Sequence, residues 1–388
     1  MGKAHPTFCS TRIMRICLYT GSALPKLGGQ EAVVDSLARQ FQQLGHDVTV
    51  IAPRPRLPLW PRDRELPYRV LRHPRFYSTA RGVGLYRVFL ARAFRKFQFE
   101  VVHCHDVYPT GYVASLALDQ TPLVLTSHGG DIRPGNARLA KPGLRSRFVD
   151  AISSAAAMIS IGNFTRDAFL QLGADAAKIH DIPNGVDLAP FQSPVDRPDG
   201  FDSAIRSNSY VLFLGRLSDR KGVDTLIRAI AADRAGTTRL SWVVIAGSGD
   251  QRAELHSLAK SLNVADRVRF VGRVTGPAKI WLLQNAIATA MPSRGWEAFP
   301  LTVLESYAAG RPVIGSNIPG MVDVIRPEET GLLVEPDSVE AWAAAIGRVQ
   351  TDADWVESAG GNARAMAADF GWESIARRHI ELYESIRT

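Results

Sequence analysis

The chain has 388 residues, and at roughly 150 residues per domain that predicts two or three domains. Its composition, 46% hydrophobic and 22% charged, excludes global disorder. The three cysteines, Cys9, Cys17 and Cys104, are too few for a disulfide framework or a four-cysteine zinc site, and they point to a reducing, cytoplasmic compartment. No apolar run reaches the 18 residues of a membrane span.

The net charge of +8 is uneven: residues 1–195 carry +10 and the remainder −2. Most of the excess lies between Arg54 and Lys96, where twelve basic residues face only Asp63 and Glu65. The halves therefore suit different partners.

Residues 1–12 read as an unstructured leader without a signal-peptide apolar stretch. The first strand is expected at 15–19, followed by a glycine-containing loop and a helix over Gln30–Leu44 that Gly45 stops. Strands at Asp47–Ala52, Val101–Cys104, Leu123–Thr126, Met158–Ile161 and Ile179–Ile182 alternate with helices from Pro109 and Asn163. Gly82 and Gly84 interrupt the basic belt, so its helix is expected only from Leu85. There Arg87, Arg92, Arg95 and Lys96 alternate with Val88, Phe89, Leu90, Phe94 and Phe97, a pattern suited to an anionic membrane surface or to simple packing on a sheet.

Residues 188–208 carry prolines, serines and aspartates and read as a linker. The alternation restarts at Tyr210–Gly215, with strands at Trp242–Gly247, Val268–Val271, Ala286–Met291 and Val313–Gly315. Helices are expected from Gly222, Asp250 and Leu301, and a final set from Ser338. The expected fold class is α/β, with two doubly wound Rossmann-like domains facing across a cleft. The N-terminal domain covers 13–190 and the C-terminal domain 208–370.

Ligands of open parallel sheets bind at strand carboxyl ends. Gly28-Gly29 precedes the first helix, where backbone amides can approach an anion. His128, followed by Gly129-Gly130, sits at another strand end. His103 and His105 flank Cys104; no third ligand follows at a suitable spacing, so they are read as packing or hydrogen-bonding groups and no metal is expected. Arg216 and Lys221 are two cations beside a helix start, a place for a diphosphate. Gly247-Ser248-Gly249 lacks the third glycine of a dinucleotide fingerprint. Glu297 lies in a loop and Glu305 about one turn into the next helix; paired carboxylates suit polyol hydroxyls.

In this order the motifs resemble the family 4 retaining glycosyltransferases of GT-B fold. The resemblance runs from about Arg15 to the end. It rests on Gly28-Gly29, His128-Gly129, Ile182-Pro183-Asn184-Gly185-Val186-Asp187, Gly215-Arg216 with Lys221-Gly222, Gly247-Ser248-Gly249, Phe270-Val271-Gly272 and the Glu297/Glu305 spacing. It implies transfer of a hexose from a nucleotide-diphosphate sugar to a glycan or lipid-linked acceptor, with retention and without metal or other cofactor. The nucleotide sugar is then a co-substrate. Arg216 and Lys221 would hold the diphosphate, Glu305 the ribose and Glu297 the donor sugar. Gly29 and His128 would lie near sugar and phosphate, and Phe270 and Val271 near the base. Ala298, Phe299, Pro300 and Leu301 would complete the donor loop, with Ala298 where glycine is common. The catalytic set is His128, Arg216, Lys221 and Glu297. Residues 371–388 would cross back onto the N-terminal domain. The enzyme would work in the cytoplasm, peripheral at the inner face of the membrane. A sugar-nucleotide epimerase of the same fold and a non-catalytic nucleotide-sugar binder are the competing readings. Nucleic acid is not expected, because the charge is confined to one half without an aromatic-interleaved basic motif.

Overall fold

The structure is a computed structural model that describes residues 12–26, 28–55, 60–75, 80–133, 135–203, 205–232 and 242–387. Residues 1–11 of the expected leader, Cys9, Arg56, and the side chains of Arg62 and Arg81 lie outside this set. The chain forms two compact units. Unit 1 comprises residues 1–161, 165–182 and 376–388, and unit 2 comprises 162–164 and 183–375.

Unit 1 holds strands β1 (Arg15–Tyr19), β2 (Asp47–Pro53), β3 (Arg69–His73), β4 (Val101–Cys104), β5 (Leu123–Thr126), β6 (Ala157–Ser160) and β7 (Ile179–Asp181). Its helices are α1 (Gly29–Gln43), α2 (Ala80–Phe97), α3 (Tyr112–Ser115), α4 (Pro142–Ser154) and α5 (Asn163–Gln171), whose first residues group with unit 2. The sheet order is β3-β2-β1-β4-β5-β6-β7, and every pairing is parallel. Its central strands are continuous apolar runs because helices cover both faces. Cys17, Tyr19, Val102, Cys104 and Leu125 form the middle of one core, and both cysteines are buried free thiols.

Unit 2 holds β8 (Tyr210–Leu214), β9 (Trp242–Ala246), β10 (Val268–Gly272), β11 (Ala288–Met291), β12 (Val313–Ser316) and β13 (Gly331–Val334). They run in the order β10-β9-β8-β11-β12-β13, again parallel. Helices α6 (Val223–Ala232), α7 (Arg252–Ser261), α8 (Gly276–Asn285), α9 (Leu301–Ala308), α10 (Val339–Thr351) and α11 (Ala353–Ala367) follow their strands, and α12 (Trp372–Ser385) closes the series. The Rossmann-like architecture expected for both halves is present.

Three expectations are corrected. The stretch 188–208 is part of unit 2 and is not a free linker. Ile205 is fully buried, and Phe191, Val195 and Phe201 pack on the core beside Tyr210 and Trp281. Gln284 on α8 clasps the stretch, its Oε1 accepting from Val195 N at 3.0 Å and its Nε2 donating to Ser193 O at 2.8 Å. The first unit ends at Ile182, and it takes back the chain only from Ala376. Within it Tyr383 Oη shares a 2.7 Å hydrogen bond with His103 Nδ1, and Phe41 meets the Tyr383 ring edge-on.

The belt helix α2 runs from Ala80 straight through Gly82 and Gly84. Tyr86, Leu90, Ala93 and Phe94 bury one continuous face, which outweighs the roughly 1 kcal/mol each glycine costs in a helix. Phe89 and Phe97 pack partly against the same core. The apolar residues that would have entered a membrane therefore mostly face the sheet. Leu85 and Val88 remain outward, 53% and 49% exposed, beside exposed Arg87, Arg92, Arg95 and Lys96. Part of the belt is neutralised: Arg72 is paired with Asp63 at 2.6 Å, and Arg69 lies 3.4 Å from Asp47.

The Gly247-x-Gly249 motif acts by close approach. A Cβ on Gly247 would sit 1.9 Å from Gly215 O, and one on Gly249 1.9 Å from Leu217 O. Backbone bonds lace the same loops, from Leu217 N to Ser248 O at 3.0 Å and from Gly247 N to Gly272 O at 2.7 Å. Gly247→Ala should therefore destabilise unit 2 by about 1–3 kcal/mol, seen as an earlier urea midpoint. A midpoint equal to wild type would show that the loops shift apart freely.

Candidate functional site

A doubly wound sheet opens where neighbouring strands send their connections to opposite sides. In unit 2 this point lies between β8 and β11, and in unit 1 between β1 and β4. The loops that leave these strands carry most of the expected site residues.

After β8 the chain turns through Gly215 and Arg216, forms a short turn over Asp219–Lys221, and enters α6 through Gly222 in the left-handed region at φ 60°. A Cβ on Gly222 would lie 2.0 Å from Pro292 O, so the turn presses directly on the end of β11. Two residues meet there. Lys221 Nζ donates to Glu297 Oε1 at 2.7 Å. The same oxygen accepts from Ser293 Oγ at 2.7 Å and from Arg220 Nη1 at 3.0 Å. Glu297 is 7% exposed. Burial raises its carboxyl pKa, but the charges of Lys221 and Arg220 and the hydrogen bonds of Lys221 and Ser293 outweigh this and hold it below the usual value. Three donors converge on Oε1, and Oε2 has no partner among the described residues.

Arg220 also donates to Trp296 O at 2.7 Å and lies over the Trp296 ring at 4.8 Å. Arg294 anchors the loop through Asp219, Asp224 and Asp337 at 2.9, 2.9 and 2.6 Å. Gly320 passes so close that a Cβ would lie 1.8 Å from Glu297 O. Neither Arg220, Arg294 nor Ser293 was singled out by sequence reasoning. Arg220 was legible as the second cation of an Arg-Lys pair, but its direction was not.

Arg216 is exposed, with no side-chain partner among the described residues. Ala298 and Phe299 are each 8% exposed, Pro300 is the N-cap of α9 and Leu301 its first residue. Glu305 binds Lys279 on α8, with 2.7 Å from Nζ to Oε1. The Phe270 ring stacks on His256 of α7 at 3.8 Å. Val271 packs partly on the core beside Trp281.

In unit 1, Gly29 opens α1 and Gly28 caps it in extended conformation. The loop before it is tied to the end of β4. Asp106 Oδ2 accepts from Gly21 N at 3.0 Å and from Gln30 Nε2 at 3.1 Å. Burial, followed by the nearby Asp131 carboxylate, raises the Asp106 pKa. Asp131 in turn accepts from Val107 N at 2.6 Å and Ser127 Oγ at 2.5 Å. His128 stacks on His105, with 3.2 Å between Nε2 and Nδ1. Burial lowers its pKa to about 4, so its imidazole is neutral at pH 7. His103 bonds Tyr383 and Thr126, each at 2.7 Å, in keeping with the packing and hydrogen-bonding reading.

Residues 27–190 match the model described as Glycosyltransferase Family 4, and residues 200–366 that described as Glycosyl transferases group 1. A D-inositol 3-phosphate glycosyltransferase of Actinosynnema mirum is 33% identical over 74% of this chain and 73% of its own. A GDP-mannose-dependent alpha-(1-6)-phosphatidylinositol monomannoside mannosyltransferase of Mycobacterium tuberculosis is 29% identical over 94% of this chain and 96% of its own. Among solved structures, Anabaena HepE in complex with UDP superposes with a TM-score of 0.79 at 20% identity, covering 96% of this chain and all of that one. Sucrose-phosphate synthase of Thermosynechococcus elongatus gives 0.78 at 25%, covering 96% and 99%. The chain belongs to the family 4 glycosyltransferases, and its two units have the GT-B architecture.

The Lys221–Glu297 pair generates a stability prediction. A carboxyl with a lowered folded pKa stabilises fully above its unfolded value, 4.5, and loses that contribution as pH falls through the folded pKa. A double-mutant cycle with Lys221→Met and Glu297→Gln should show about 0.5–3 kcal/mol of coupling at neutral pH, shrinking at pH below 4.5. Coupling that is absent at pH 7, or constant down to pH 3, would contradict the ion pair.

Proposed function

We propose that this glycosyltransferase moves a hexose from a nucleotide-diphosphate sugar to a glycan or lipid-linked acceptor, with retention and without a metal. The observation that carries the reading is Glu297, with one oxygen held by three donors at the switch point of unit 2 and the other left for a sugar hydroxyl. Two relatives support it by what their names state: one uses GDP-mannose and acts on a phosphatidylinositol mannoside, and HepE was crystallised with UDP. Family membership favours a transferase over the epimerase and the non-catalytic binder.

In this reading the donor diphosphate lies against Arg216 and Lys221, with Arg220 beside them. As the glycosidic bond breaks, the leaving nucleoside diphosphate gains negative charge, and these fixed cations stabilise it where a metal would otherwise serve. Glu297 positions the reacting sugar, Glu305 takes the ribose, and the loop after β10 faces the base. The departing phosphate helps deprotonate the acceptor hydroxyl on the same face, which gives retention through a short-lived oxocarbenium-like species. His128, neutral at pH 7, contributes a hydrogen bond and not a charge.

Lys221→Ala and Arg216→Ala should each lower turnover about a hundredfold at saturating donor, found by screening UDP-, GDP- and ADP-hexoses. Chelator should leave the wild-type rate intact. Near-normal turnover in either variant overturns the diphosphate assignment, and a loss that Mg²⁺ restores overturns the metal-free mechanism.

A peripheral position at the inner face of a membrane completes the proposal. No helix among the described residues is long and apolar enough to cross a membrane. The exposed stripe of α2 offers cations worth about 1 kcal/mol each at an anionic surface. Co-sedimentation with vesicles containing phosphatidylglycerol should appear at low salt, fall with added salt and be absent with neutral vesicles. Reversing Arg87, Arg92 and Arg95 to glutamate should abolish it, and binding that survives this change would remove α2 from the interface.

A further inference from the structure

We infer that Lys279 is a positioning residue that makes Glu305 selective for a ribose over a 2′-deoxyribose nucleotide. The inference deepens the proposed function and rests on Glu305 taking the ribose.

Glu305 is the one charged residue of α9, between Leu304 and Ser306, both buried. Its side chain is only 22% exposed, and a carboxylate so placed is costly unless paired. The partner comes from α8. Lys279 Nζ sits 2.7 Å from Oε1 and is itself 31% exposed. No described residue bonds Oε2.

This has two chemical consequences. An ionised carboxylate has about four lone-pair sites. Lys279 takes one on Oε1 and holds the rotamer, leaving the acceptor sites of Oε2 for a ligand. Two vicinal hydroxyls can fill them together, whereas a deoxyribose supplies one hydroxyl fewer. Lys279 also cancels the charge of Glu305, which would otherwise repel a diphosphate. Arg216, Arg220, Lys221 and Lys279 outnumber Glu297 and Glu305 by two charges, the number the diphosphate bridge of a nucleotide sugar carries.

Lys279 is the fourth residue of α8, the helix that follows directly on the loop Arg273–Thr275 after β10. It therefore links the base-side loop to the ribose-side carboxylate. Without it, Glu305 keeps its place on the helix but loses the donor that fixes its oxygens.

The test uses whichever of UDP, GDP and ADP binds the full-length protein most tightly, together with its 2′-deoxy counterpart, by titration calorimetry. Wild type should prefer the ribonucleotide about tenfold or more, the worth of one hydrogen bond to a charged group. Lys279→Met should narrow that ratio severalfold, and its thermal midpoint should fall modestly because Glu305 loses its partner, with the protein still folded at the titration temperature. Lys279→Arg should keep it. Glu305→Gln should narrow the ratio as well, and adding Lys279→Met to it should narrow it no further, because the lysine acts through the carboxylate. A Lys279→Met protein with the wild-type ratio overturns the inference while Glu305→Gln still narrows it. If Glu305→Gln also leaves the ratio unchanged, the ribose assignment of Glu305 falls, and the role of Lys279 with it.

Discussion

A carboxylate closed off from water at the end of a parallel sheet must be compensated by donors, and much of unit 2 is arranged around meeting that demand at Glu297. The compensation comes from two stretches of chain. Lys221 and Arg220 arrive from the turn after β8 and Ser293 from the end of β11; a third stretch holds the loop itself, Pro319 O accepting from the Glu297 amide at 2.9 Å. Arg294, bound to three aspartates, keeps that turn and the loop after β11 in register. The glycines complete the arrangement, because Gly222, Gly247 and Gly320 bring backbones closer than any side chain permits. A charged group that is already paired and oriented reacts without first reorganising, which is the condition for electrostatic stabilisation of a leaving group.

Unit 1 meets the same constraint with different chemistry. Its strand ends collect neutral imidazoles and hydrogen-bonded carboxylates. Burial keeps His103, His105 and His128 uncharged at neutral pH. Asp106 and Asp131 are spent on backbone amides and on Gln30 and Ser127. The strand ends of unit 2 thus gather fixed cations around Glu297, while those of unit 1 gather uncharged imidazoles and carboxyl groups held by hydrogen bonds.

The alternation of strands and helices was legible because central strands such as β1 and β5 are unbroken apolar runs between turn residues. Edge strand β3 was missed because its sequence, Arg-Val-Leu-Arg-His, hides a half-covered strand inside a basic stretch. The short β13 and helices α4 and α8 were missed for want of strong periodicity or caps. The stretch 188–208 looked like a linker by its prolines, and only its few spaced apolar residues, Phe191, Val195, Phe201 and Ile205, betray that it covers a core. In the site, strand-end glycines and charges marked where Lys221 and Glu297 stand. Their union, and the pairing of Glu305 with Lys279 across 26 positions, depends on loop conformations that no local pattern encodes.

The return of α12 to unit 1 bears on how the protein is made. Tyr383, fully buried, and His379, 4% exposed, help fill the space beside Phe41 and His103, yet they are synthesised after every residue of unit 2. Domains generally fold as they leave the ribosome, the N-terminal one first. Here the N-terminal unit emerges with an open seam along α1 and β4 that stays wet until translation has passed residue 383. The second unit, whose last residue is Ile375, has all its parts earlier relative to its own completion. The first unit, begun earlier, thus receives its last buried side chains only after the second has been synthesised in full.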